Sequence, residues 1–244
     1  MKIVSFSANI LPIKVNQMKT KQFDESKLLA LFYEPDHYRE AMQTPFVSDG
    51  YVCATETHRL ILLKPEICTG DYNKAKTPHV KKILKPHNID ITLTLDQLKK
   101  AIDRIPQVAE IVTISPAIEC KDCDGEGFVY WEYVDLARIT HHKYLQCPIC
   151  HGSGNSSKAV TKATGRMVPS PEGIIGIYEN KFRVEHLSKL CEAMDLLELD
   201  TVKYVASHNG PNTFILTDEI TVLICSSMDK AVDTWVCKKK KVKR

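Results

Sequence analysis

Apolar positions along this chain alternate between a helical period and a strand period. Three segments have apolar residues at helical spacing: one opening at Phe23-Asp24-Glu25-Ser26-Lys27-Leu28-Leu29, one at Leu93–Ile102 and one at Phe182–Met194. In the second, Leu95, Leu98 and Ile102 fall on one face. Each has an acid near its start (Asp24, Asp96, Glu185), where the positive end of the helix dipole favours it. Strand-like runs follow the first helix at Phe46–Ala54 and Thr55–Leu63, and follow the third at Val202–Val205, Phe214–Leu216 and Thr217–Ile224. Asp49-Gly50 and Asn209-Gly210 are favoured hairpin turns between them.

The first and third segments share a spacing. Asp24 and Glu185 are 161 residues apart, Asp49 and Asn209 are 160 apart, and Thr55 and Thr217 are 162 apart. So steady an offset predicts one building block used twice. The middle segment fits the same plan, with strands predicted at Glu110–Ser115, Phe128–Val134 and near Arg138–Leu145. The expected fold class is α+β, with repeated helix plus antiparallel β-meander units and an inserted zinc-binding β-hairpin module. Units one and the start of two would span 1–116, the insertion 117–157, the third unit 158–236 and a basic tail 237–244.

The insertion carries two matching signatures, Cys120-Lys-Asp-Cys123-Asp-Gly125-Glu-Gly127 and Cys147-Pro-Ile-Cys150-His-Gly152-Ser-Gly154. Each reads C-x-x-C-x-G-x-G, and the four thiolates are the number a closed tetrahedral Zn²⁺ site requires. Two intervening residues let one turn aim both sulfurs at one ion, and the glycines let the backbone fold beneath them. Other uses of these cysteines fit less well. The chain shows no apolar signal segment at its start, so a reducing cytoplasm is expected, which disfavours disulfides. A redox pair needs a single C-x-x-C near a βαβ unit, and the haem-like Cys147–His151 run has no counterpart in the first signature. A saturated shell leaves no position for substrate, so the metal is expected to be structural. These residues resemble the cysteine-rich zinc domain of DnaJ-type cochaperones over about 35 positions. No His-Pro-Asp is present, so the resemblance implies the metal site only.

Composition changes the picture little. Hydrophobic content of 43% and charged content of 26% are those of an ordinary globular chain, and no apolar run is long enough to span a membrane. Net charge is +3, but Lys238, Lys239, Lys240, Lys241, Lys243 and Arg244 crowd the last seven positions. Such an arm is either a solubilising tail or a salt-sensitive contact for nucleic acid. The other cysteines, Cys53, Cys68, Cys191, Cys225 and Cys237, read as small buried hydrophobes. No Walker-type glycine loop, G-x-S-x-G elbow or H-E-x-x-H occurs, and His141-His142 on a strand would face opposite ways. The expectation is a protein without catalytic activity.

The stretch Val47-Ser-Asp49-Gly50 through Ala54-Thr55-Glu56-Thr57-His58-Arg59-Leu60 resembles the Ala-Thr-Asp-Gly-His-Arg-Leu segment of bacterial beta-type DNA polymerase sliding clamps, with Glu-Thr in place of Asp-Gly. A helix followed by a three-strand meander, repeated around a ring, is similar to their fold. The resemblance implies a replication-associated, DNA-binding protein that forms homo-oligomers. It also implies that basic helix faces, here Lys99, Lys100 and Arg104, approach phosphates together with Lys238–Arg244. His58-Arg59 beside a turn reads as structural. A bacterial clamp subunit has six such units and no zinc insertion, so this chain would be a shorter relative. A second reading is a zinc-stabilised module that meets a protein partner through Tyr130, Trp131 and Tyr133, and a third is an enzyme with a zinc accessory lobe.

Overall fold

The computed structural model describes residues 23–73, 79–84, 90–207, 210–229 and 231–238. They form two compact units, one from residues up to Pro106 together with those from Pro169 onward, the other from Gln107–Val168. In the first unit the order begins α1 (Glu25–Ala30), β1 (Phe46–Ser48), β2 (Tyr51–Thr55), β3 (Arg59–Leu63), β4 (Asp90–Thr94) and α2 (Leu95–Asp103). The second unit contains β5 (Gln107–Ser115), β6 (Phe128–Val134), β7 (Thr140–Gln146) and nearly all of β8 (Val160–Pro169). The chain then re-enters the first unit through β9 (Ile174–Tyr178), β10 (Asn180–Arg183), α3 (Val184–Leu196), β11 (Thr201–Val205), β12 (Asn212–Ile215), β13 (Ile220–Ile224) and β14 (Thr234–Lys238).

Helix starts follow the local chemistry. Asp24 caps α1 by accepting from the Lys27 amide at 3.0 Å. Thr94 caps α2 in a reciprocal box with Gln97, their two hydrogen bonds being 3.1 and 3.0 Å. Asp49 and Gly50, with φ of 51° and 86°, make the two-residue β1–β2 turn. Positive φ at both positions suits the right-handed twist of the strands.

One sheet of the described residues has the order β1-β2-β3-β13-β12-β11-β4, with every neighbouring pair antiparallel. Its centre is symmetric. Arg59 faces Ile224, Ile61 faces Val222 and Leu63 faces Ile220. Advancing each β3 residue by 161 positions gives Ile220–Ile224, so the exchange maps this register onto itself, with Ile61 and Val222 on a local two-fold. One strand out, Val52 faces Leu63 and Asn212 faces Ile224, an offset of 160 for β2 and β12. Thr55 therefore corresponds to Ile215, and the expected match with Thr217 is corrected. The two threonines share a role but not a position. The Thr55 hydroxyl accepts from the Thr57 amide, and the Thr217 hydroxyl accepts from the Glu219 and Ile220 amides in a turn one residue longer.

Strand alternation sends one set of side chains to each face of the sheet. Val52, Ala54, Ile61, Leu63, Val202, Tyr204, Phe214, Ile220, Val222 and Ile224 join Leu28, Leu98, Leu187, Leu190 and Met194 of the three helices in the main core. Cys53, Leu60, Leu62 and Leu223 face the other way, where Phe46 and Val80 complete a second cluster. A separate sheet, β10-β9-β14, packs Ile175, Ile177 and Phe182 into the main core.

The middle segment departs from the expected plan. β5 pairs with β8 and β6 with β7, in two separate two-stranded ribbons rather than a meander in the large sheet. Chain order alone suggested three equivalent units. The pairing joins the outer strands to each other and encloses the inner ones, so no third meander forms. The two C-x-x-C-x-G-x-G signatures, here called knuckles, lie in the chain between the ribbons, with the β6–β7 hairpin extending beyond them. Asn209 and residues 239–244 fall outside the described residues.

Candidate functional site

Each knuckle is a tight turn that follows directly from its sequence. In the first, the Gly125 and Glu126 amides donate to the Cys120 and Cys123 carbonyls at 3.1 and 2.9 Å. The knuckles then lock to each other reciprocally. The Cys120 amide donates to the Gly154 carbonyl and the Cys147 amide to the Gly127 carbonyl, both at 2.8 Å. This exchange forces close backbone approach. A Cβ on Gly127 would lie 2.5 Å from the Gly152 carbonyl oxygen, and one on Gly154 would lie 2.3 Å from that of Gly125. Both glycines also have positive φ, 77° and 74°, which side chains resist.

The arrangement brings all four predicted ligands together. Cys120, Cys123, Cys147 and Cys150 are buried, with their sulfurs within 4.8 Å of one another. The Sγ–Sγ distance is 3.8 Å for Cys120–Cys147 and 3.7 Å for Cys123–Cys150. A tetrahedron with Zn–S bonds of about 2.3 Å has edges of about 3.8 Å, so the donor set fits zinc in chemistry and in size. The Gly127 amide points at the Cys123 sulfur at 3.2 Å, as an outer hydrogen bond to a thiolate would.

Burial pushes the Cys123 thiol up to about 12 and moves Cys120 in the same direction. At Cys150 burial also pushes upward, but the Gly154 amide, the sulfurs of Cys123 and Cys147 and the Gly152 amide outweigh it and bring it to about 7. Four adjacent thiols do not ionise together unless a cation sits among them. His151 is exposed, with φ of 52°, outside the ligand group.

Of the basic residues expected to approach phosphates, the structure describes the side chains of Lys99, Lys100 and Arg104. On α2, Lys99 reaches across to Asp195 of α3 at 2.8 Å, and Lys100 pairs with Asp96 on its own helix at 2.8 Å. The Asp195 contact pushes the Lys99 ammonium above its ordinary range. Arg104 is the C-cap of α2, and Lys238 ends β14. Lys239, Lys240, Lys241, Lys243 and Arg244 fall outside the described residues.

A second polar cluster, which the sequence did not reveal, surrounds the β2–β3 turn. Arg59 donates from Nε to the Leu31 carbonyl at 3.2 Å, and its Nη1 lies 3.1 Å from His186 Nδ1. Glu56 approaches Arg59, His58 and His186 at 3.7, 3.5 and 4.0 Å. Burial, then the charges of Arg59 and neighbouring groups, lowers His186 to about 4, so it is neutral and accepts from the guanidinium. Glu56, His58 and His186 could be mistaken for a metal triad. Arg59 already places a cation against the His186 nitrogen, and the two imidazoles stack at 5.5 Å with planes 16° apart instead of converging edge-on. The cluster is a structural clasp between the β2–β3 turn, α1 and α3, consistent with the structural reading of His58-Arg59. Its partners lie 127 residues apart in sequence, beyond any local signal.

No protein-family model matches this sequence, and no curated protein does. Among solved structures, the beta sliding clamp of C. crescentus is similar at 12% identity and a TM-score of 0.43, over 92% of this chain and 70% of that one. DNA polymerase III subunit beta from Borrelia burgdorferi aligns at 11% identity and 0.40, over 84% and 61%. The Helicobacter pylori beta clamp bound to a DNA ligase peptide aligns at 11% and 0.43, over 83% and 62%. The chain thus spans 61–70% of the length of these proteins.

Proposed function

We propose that this chain is a non-enzymatic, clamp-like protein that associates with DNA during replication, and that zinc held by Cys120, Cys123, Cys147 and Cys150 braces its 107–168 unit. The observation that carries the clamp reading is the symmetric register at β3 and β13. It joins two helix-then-meander segments edge to edge, as expected if residues 23–63 and 182–224 are two copies of one block. The Ala54–Leu60 stretch, which resembles the clamp segment, forms the β2–β3 turn and leads into β3. The zinc reading rests on the fit of the four sulfurs to a tetrahedron.

Affinity for duplex DNA would come from phosphate contacts without base readout. The ion pairs of Lys99 and Lys100 with Asp195 and Asp96 are solvent-exposed and therefore weak, so a phosphate can displace the carboxylates. The six cations of Lys238–Arg244 supply most of the attraction. The test is anisotropy of a labelled random duplex across salt. If all six engage, log affinity falls against log salt with a slope of about −5, losing about 10³ between 50 and 200 mM. Deleting Lys238–Arg244 flattens that slope. No duplex binding at 50 mM salt refutes the DNA role. Sedimentation in the same buffer reports whether copies assemble.

A further inference from the structure

The β6–β7 hairpin has an aromatic and cationic face that neither the metal site nor the duplex reading uses. Its register puts Val129 opposite Leu145, Trp131 opposite Lys143, and Tyr133 opposite His141 on one face. Tyr130 with Tyr144 and Glu132 with His142 occupy the other. The first face starts at the metal site, where Val129 packs on the four cysteines, and then opens to solvent. Trp131 is 52% and Tyr133 59% exposed, so both rings are open to a partner; Tyr130 and Tyr144 of the opposite face are exposed as well but stand beside Glu132 and His142.

Charge is sorted between the two faces. The Glu132 carboxylate lies on the opposite face, 3.5 Å from His142. Asp135, at the far end, is occupied: it accepts from the Ala137 and Ile139 amides and from His141 Nε2, all at 2.9 Å. His141 in turn stacks on Tyr133 at 5.0 Å and 18°. The remaining charge along this face is the exposed Lys143, beside the indole.

We infer that this face binds single-stranded DNA, with bases stacked on Trp131 and Tyr133 and a phosphate drawn to Lys143. Flat rings beside a cation suit unpaired bases, whose π-faces stack without sequence preference, while the backbone seeks the cation. A protein partner would be expected to meet aliphatic anchors as well, and beyond Val129 and Leu145 this face has none. The inference rests on the metal-held hairpin proposed above and is independent of duplex binding.

The test uses the full-length, zinc-loaded protein titrated with a dT20 oligonucleotide while tryptophan emission is read. Trp235, lying over Gly176 in the other unit, is the second tryptophan and the internal reference. Trp131 emission should quench, and Trp131→Ala and Tyr133→Ala should each weaken binding by about 5- to 150-fold. Lys143→Ala should reduce the salt slope by about 0.7. Both rings are exposed, so zinc content and circular dichroism should not change, and duplex binding should be unaffected. Unchanged dT20 affinity in the double ring variant overturns the inference. So does absence of binding at low salt, which leaves the face to a protein, or tighter binding of rU20, which reassigns it to RNA. Loss of duplex binding with dT20 binding intact would sink only the clamp reading, and a hairpin that folds without bound zinc would sink only the metal reading.

Discussion

Removing the metal should unfold one unit and spare the other. In 107–168 the buried cluster consists of the four cysteines with Val129 packed against them. The ribbons around it leave Ile111, Ile114 and Tyr144 between 62% and 68% exposed, so apolar burial is slight. Structural zinc in small modules contributes about 10–16 kcal/mol at neutral pH, as large as the whole stability of an ordinary domain, about 5–15 kcal/mol. Chelation therefore takes this unit past its folding midpoint. The first unit keeps a core spanning three helices and the large sheet. The sensitive probes are the Cys120 and Cys147 amides, whose bonds to Gly154 and Gly127 exist only while the knuckles face each other. Hydrogen exchange, with a colorimetric chelator counting released metal, should show their protection lost as one zinc per chain leaves. Amides of β12 and β13 should remain protected. If one zinc is released and the Cys120 and Cys147 amides exchange as slowly as before, zinc is not what holds the knuckles together. A protein that cannot be loaded with zinc refutes the metal dependence sooner.

Two further outcomes follow from the geometry. Gly127→Ala drives a Cβ to within 2.5 Å of a carbonyl oxygen, whereas Gly165→Ala, at φ of 83° with nothing within 4 Å, meets only backbone strain of roughly 1–2 kcal/mol. Chelator competition should show zinc affinity down at least about tenfold in the first and nearly unchanged in the second, and equal affinities would contradict the close backbone approach. For the clasp, burial and Arg59 hold His186 near 4 against 6.5 when unfolded, so the unfolded chain takes the proton first as pH falls. Stability is then complete above about pH 6.5 and is lost towards pH 4. The full shift corresponds to about 3 kcal/mol, which solvent screening reduces to roughly 1–2. Urea melts at pH 7 and 5 measure it, and an unchanged pH dependence in His186→Gln would refute the assignment.

The parts of the fold readable from sequence were those encoded locally. Asp24 and Asp96 marked helix starts because an acid acts on the helix dipole only within the first turn; the Thr94 cap of α2 came only with the structure. The strand at Phe128–Val134 has the bounds its run of apolar and aromatic residues suggested. The four-cysteine cluster was legible because each C-x-x-C-x-G-x-G turn carries its own geometry, and the same pattern recurring 27 residues later implied a facing partner. Strand partners were less accessible. The residues of β5 look like those of any strand, and nothing in them states that β8, beyond the whole zinc excursion, is their neighbour. The partner of Lys99 on α2 was hidden for a related reason, since Asp195 is 96 residues away.

The symmetric centre of the large sheet indicates why the two outer segments cooperate and the middle one diverges. At β3 and β13 each segment contributes a strand that is apolar on both faces; in β3, Leu60 and Leu62 point to one cluster and Ile61 and Leu63 to the other. Such a strand is stable only with neighbours on both edges and cover on both faces. Its own meander supplies one edge, and the other segment supplies the second. Neither segment would hold this strand alone, so each depends on the pairing. The middle segment has no such strand: β5 shows Ile111, Val112 and Ile114 to solvent, and β8 shows Val160 and Met167. It could not enter the sheet centre, and a metal site suits a segment in that position. Four thiolates on one ion can hold two turns together where the surrounding strands bury too little to do so.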